Sequence, residues 1–254
     1  MGLLALLVRD VAARVPAHLA QAPAVLLEWV RPGLRAAGEG RMGRPAVVLV
    51  HGILRGRSSM ALLARDFRRS GFKTLNWGYP STKARIGGHA RALAAAVEEF
   101  LEPGRELILV GHSMGGLVAR ALLGIRPDLP LRKLIQVGTP NKGARKAALF
   151  RDFFLYRLTL GTLAGRELVP GPEGAAAGLP VPPPEKAHVV AGARGDGRGW
   201  SPLLPGDDDG TVELSSTALP GVPRETLPVL HAFLPWHREV RRRVLAAALE
   251  ITVQ

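Results

Sequence analysis

Short strand-like runs, some of them apolar throughout, recur along the chain at 46–50, 73–77, 106–110, 133–138, 187–192 and 226–230. Between them, apolar residues return every three or four positions, the spacing of helices with one buried face. Ala46-Val-Val-Leu-Val50 and Leu107-Ile-Leu-Val110 are apolar throughout, as strands covered on both faces must be. Helices are expected over about 58–70, 84–101, 115–125 and 236–250. The second carries Ala90, Leu93, Ala94, Val97 and Leu101 on one face and stops at Pro103-Gly104. Strands alternating with helices predict an α/β fold with a mainly parallel sheet.

Two stretches interrupt this rhythm. After Asn141-Lys-Gly143, about 45 residues pass before the next strand, too many for a simple loop. A small cap or lid is expected at about 143–186. It holds Phe150, Phe153 and Phe154, which either pack on the body, the preferred reading, or line a substrate pocket. Residues 1–42 form a separate N-terminal helical segment ahead of the domain at 43–254. Leu3, Leu4, Leu7, Val8, Val11 and Val15 make an apolar stripe, Pro16 ends that helix, and a second helix is expected over 24–30. Packing on the domain or on another subunit is preferred for the stripe. A lipid-interface anchor is the alternative. The N-terminus fits neither a secretory signal nor a membrane span, so a cytoplasmic protein, with peripheral membrane contact as the alternative, is expected.

Charge changes the picture little. The net charge is +13, but 28 of the 34 basic residues are Arg, and they are scattered. With abundant Ala, Gly and Pro this is compositional bias, so no nucleic-acid partner is expected, only weak attraction to anionic surfaces. The chain has no cysteine, which excludes disulfides, thiolate chemistry and Cys-based metal sites.

The chemistry begins at Gly111-His-Ser-Met-Gly-Gly116, between a predicted strand and a predicted helix. That is the context of a nucleophile elbow, in which Ser113 projects above the sheet from a strained turn. A serine needs a general base, and the base needs an orienting acid. Of seven histidines, His188, His231 and His237 follow the serine. His188 falls inside a strand and is assigned a structural role. His231 follows the last strand and is the first choice, with His237 the runner-up. The acid is sought in Asp207-Asp-Asp209, where Asp209, directly before Gly210, is first, Asp208 second, and Asp207 a loop cap. The oxyanion donors are expected to be the N–H groups of Met114 and of Ile53, which follows Val50-His51-Gly52. The His51 side chain is then structural.

The segments Val50-His-Gly-Ile53, Gly78-Tyr-Pro-Ser81, Gly111-His-Ser-Met-Gly-Gly116, Gly138-Thr-Pro-Asn-Lys-Gly143, Asp208-Asp-Gly-Thr-Val212 and His231-Ala-Phe233 come in an order that resembles the lipase and esterase branch of the α/β-hydrolase superfamily. The resemblance implies the same triad, Ser113, Asp209 and His231, and oxyanion donation by Ile53 and Met114. It extends over about 46–250 and leaves the N-terminal segment unmatched. The expected activity is cleavage of carboxylic esters or lipids without a metal or organic cofactor. Alternatives are a thioesterase, amidase or acyltransferase, or a catalytically silent binding module. The sequence leaves the oligomeric state and natural substrate open.

Overall fold

A computed structural model describes residues 8–16, 40–41, 43–152 and 163–250. Phe153, Phe154, the first part of the apolar stripe and the helix expected at 24–30 lie outside the described residues.

Six strands form one parallel sheet: β1 (Ala46–Val50), β2 (Lys73–Trp77), β3 (Leu107–His112), β4 (Leu131–Val137), β5 (Ala187–Gly192) and β6 (Arg224–Leu227), in the order β2-β1-β3-β4-β5-β6. The pleat divides each strand between two cores. On one face, Val48 and Leu109 meet α2 (Ile86–Phe100) and α3 (Met114–Ile125) through Leu93, Val97 and Leu117. On the other, Val47, Leu49 and Ile108 meet α1 (Ala61–Arg69) and α5 (Arg238–Leu249) through Leu63, Phe67, Val240 and Val244. Both faces of β1 and β3 are therefore dry, which accounts for their uninterrupted apolar sequence.

The insertion after β4 contains the short α4 (Arg145–Phe150), a single helical turn at Ala164–Glu167 and a return through Pro183 into β5. Arg120 holds that return, donating to the carbonyls of Leu179 and Pro180 and to Asn141 Oδ1. Among the described residues no helix is long and apolar enough to cross a membrane.

Residues 8–16 are helical. The described part of the stripe does not pack on the domain: Val8, Val11 and Val15 are exposed on this chain, and Asp10 is the buried side chain. An ion-pair network rather than apolar burial decides which way this helix faces.

Candidate active site

The site lies at the C-terminal ends of the central strands, where open parallel sheets place their ligands. β3 runs straight into α3, with Ser113 as the hinge between them. Its φ of 54° and ψ of −126° put a non-glycine residue where L side chains are strained. The turn is tight enough that a Cβ on Gly115 would lie 2.1 Å from the Val50 carbonyl oxygen. Gly52 is constrained less severely, since a Cβ there would sit 3.0 Å from the Ser113 Cβ. The loop after β1 is thus pressed against the serine by residues that have no side chain.

Ser113 Oγ is 3.0 Å from His231 Nε2, and His231 Nδ1 is 2.6 Å from Asp209 Oδ2. His231 lies on a short 3₁₀ turn four residues beyond β6. Asp209 is fully buried, and its Oδ1 accepts the N–H groups of Thr211 at 3.0 Å and Val212 at 2.7 Å. With one oxygen held by backbone donors, the other is aimed at the imidazole. His237 instead precedes α5, with its N–H donated to the Phe233 carbonyl. His188 sits in β5 beside Glu225 of β6, 2.9 Å away.

The other two aspartates of the acid loop point elsewhere. Asp207 accepts the N–H groups of Arg194 and Gly195. Asp208, fully buried, accepts those of Ser201 and Gly210. Burial, opposed by those donors and reinforced by the Asp209 charge, pushes the Asp208 carboxyl up to about 6.

Ile53 and Met114 flank the serine from the two loops. Neither N–H has a protein acceptor among the described residues. The Ile53 loop is held by Leu54, whose N–H donates to Ser81 Oγ and whose φ is 57°. His51 stacks on Tyr79 at 4.4 Å and takes the Tyr79 N–H on Nε2, while the Tyr79 hydroxyl donates to the His51 carbonyl. Burial lowers the His51 pKa, so its ring is a neutral brace. Phe150 is half-buried at the end of α4.

His112 makes a contact with the histidine loop that sequence reasoning missed. Its Nε2–H donates to the His231 carbonyl at 3.2 Å, and the two rings are 5.0 Å apart. Burial, with the nearby His231, lowers its pKa well below the ordinary value, so the ring stays neutral and holds the histidine loop. The signal was its place inside the Gly-x-Ser motif, one residue before Ser113.

No protein-family model and no curated sequence matches the chain; the likeness to known proteins is one of structure. The chain has the α/β-hydrolase fold. The mature form of the lipase BlEst2 from Bacillus licheniformis superposes with a TM-score of 0.63 at 19% identity, covering 85% of this chain and 96% of that one. The chain spans 53% of the same lipase's propeptide form. The metagenomic carboxyl esterase MGS0156 superposes with a TM-score of 0.61 at 18% identity, covering 86% and 78%. The RedJ thioesterase of the prodiginine pathway in Streptomyces coelicolor does so with a TM-score of 0.55 at 16% identity, covering 89% and 93%.

Proposed function

We propose that this protein is a serine hydrolase that cleaves carboxylic esters, including lipid esters, through an acyl-enzyme. The observation that carries the reading is the continuous relay from Ser113 Oγ through both nitrogens of His231 to Asp209, set on a strained elbow. In this mechanism Ser113 Oγ attacks the ester carbonyl while His231 Nε2 takes its proton. Asp209 keeps the other imidazole nitrogen protonated and stabilises the imidazolium. The Ile53 and Met114 N–H groups hold the oxyanion, each worth on the order of 3 kcal/mol of transition-state stabilisation. His231 then protonates the departing alcohol, and the acyl group remains on Ser113. Water, deprotonated by His231, attacks that acyl group. Collapse releases the carboxylic acid and returns the proton to Ser113.

Lipases, an esterase and a thioesterase among the structural neighbours support acyl-transfer chemistry without choosing the acyl donor. A series of p-nitrophenyl esters of rising chain length, run beside the matching acyl thioesters on wild type and Ser113→Ala, tests the reading. Ester turnover and fluorophosphonate labelling, both lost in Ser113→Ala, are expected. Folded wild-type protein that neither turns over esters nor labels would overturn it, and turnover of thioesters alone would reassign the substrate.

A further inference from the structure

The helical segment 8–16 lies outside the stretch whose sequence motifs resemble hydrolases, yet its one buried side chain reaches the loop that carries Asp209. Asp10 pairs with Lys146 of α4, whose Nζ is 2.8 Å from both carboxylate oxygens. The same Nζ donates to the Gly210 carbonyl at 2.7 Å, on the residue directly after Asp209. Asp10 Oδ1 also accepts from the Ser201 hydroxyl. Ser201 in turn donates its N–H to Asp208, the residue directly before Asp209. One carboxylate thus braces Asp209 from both sides, through Lys146 on one flank and through Ser201 and Asp208 on the other. Arg14, one helical turn on, adds a second cation at 2.5 Å, and its side chain packs against Gly210.

Burial alone would raise the Asp10 pKa. Hydrogen bonds from Lys146 and Ser201, with the charges of Lys146 and Arg14, reverse that and lower it. The brace is therefore a buried, charged carboxylate between two half-buried cations. Removing one partner of such a pair strands the other without water. Lys146 then no longer has a reason to stay on the Gly210 carbonyl.

From this arrangement, and resting on the triad reading above, we propose that Asp10 is a positioning residue for the acid of the triad. The N-terminal helix and the root of the cap insertion are joined through Asp10 and Lys146 into one lock that sets the Asp209 carboxylate against His231. A misplacement of a fraction of an ångström in that carboxylate acts on the chemical step and leaves substrate binding alone. If the apolar stripe were only a lipid anchor, trimming the first fifteen residues would spare hydrolysis of short esters. The lock predicts the reverse.

The test is a mutant cycle on the full chain, read by fluorophosphonate labelling rate, by kcat and KM on p-nitrophenyl butyrate, and by melting temperature. Asp10→Asn and Lys146→Met are each expected to lower kcat and labelling rate on the order of tenfold or more with KM unchanged, and Asp10→Glu to recover part of the loss. In an Asp209→Asn background, adding Asp10→Asn is expected to change the labelling rate less than about twofold, because the two act through the same carboxylate. An equal fold-loss in both backgrounds would overturn the proposal, since Asp10 would then act through general stability. So would wild-type labelling in folded Asp10→Asn while Asp209→Asn is impaired. If Asp209→Asn itself labels at the wild-type rate, the triad reading fails and takes this proposal with it. Lys146→Met carries the same comparison if Asp10→Asn does not fold.

Discussion

The two halves of the candidate site are built by opposite means. The serine half is a matter of backbone: β3, six residues of elbow and the start of α3 are continuous in the chain, and glycines let β1 press against them. The acid–base half is a matter of side chains. His231 and Ser113 are 118 positions apart, His231 and Asp209 are 22 apart, and Asp10 reaches Ser201 across 191. The first half is fixed by shape and the second by polar satisfaction. They should therefore fail differently when mutated, the one by steric clash and the other by loss of a partner.

The largest effects come from breaking the relay that joins the halves. His231→Ala and Asp209→Asn are expected to lower kcat on the order of 10³ to 10⁴ or more with secondary structure intact, because the three groups act as a unit. His237→Ala, Asp207→Asn and Asp208→Asn are expected to keep kcat within about tenfold of wild type, since those side chains do not face the imidazole. Steady-state kinetics with circular dichroism checks this. A collapse of kcat in His237→Ala alone would move the base, and with it the division between the halves.

The serine half is tested by adding a single methyl group. In Gly115→Ala the new Cβ meets the Val50 carbonyl oxygen, a backbone atom that cannot rotate away. The cost is expected to be about 1–3 kcal/mol in stability, with a further loss of activity as the elbow shifts. Denaturant melts report the first and burst labelling the second. An unchanged midpoint would mean that the elbow is looser than its glycine contacts imply.

This contrast also governs what could be read from the sequence. β1 and β3 are legible because both faces are buried and every position must be apolar. β6 is less so: the apolar run suggests 226–230, but the strand is Arg224–Leu227, since Pro228 offers no N–H and the chain leaves the sheet before it. The elbow is legible because strain and close approach demand particular small residues at fixed spacing. The brace of Asp10, Lys146 and Ser201 is not, because an Asp, a Lys and a Ser in separate segments carry no pattern until the fold brings them together. The orientation of helix 8–16 escapes for the same reason. Its period marks a stripe of valines, while a single buried aspartate decides which side faces the protein.

A smaller effect separates Asp208 from its neighbour Asp209. Asp208 sits at about 6 in the folded protein, raised mainly by burial, against an ordinary carboxylate near 4 when unfolded. Between those values the native state binds more protons, so this group favours folding increasingly as pH falls from about 7 to 4. Asn at this position keeps an acceptor for Gly210 and removes the buried charge. The gap in melting temperature between Asp208→Asn and wild type is expected to move in the variant's favour by on the order of 5 °C as pH rises from 4 to 8. A gap that stays constant, or moves the other way, would show that Asp208 is held ionised at no cost.

The smallest expected effect lies on the outer face of the N-terminal helix, where the apolar pattern and the polar lock make opposite claims. If the valine stripe were what seats the helix, replacing it would release the helix and, with it, Asp10. If Asp10 seats it, the valines are dispensable for folding. Val8 is 60% exposed, Val11 52% and Val15 44%, so little apolar area is withdrawn from water at any of them. The triple variant Val8→Ser, Val11→Ser and Val15→Ser is expected to change stability by about 1 kcal/mol or less, because serine and valine have similar helix preference and little apolar area is lost. Its kcat on short esters should equal that of wild type, whereas Asp10→Asn on the same helix should not. Thermal melts and kinetics on both variants make the comparison directly. Loss of activity in the valine variant, with Asp10 untouched, would show that the apolar face carries the docking. If the valine variant instead keeps its stability and kcat while intact protein, but not the variant, co-sediments with anionic vesicles, the outer face is a lipid contact and the inner face the one that positions Asp209.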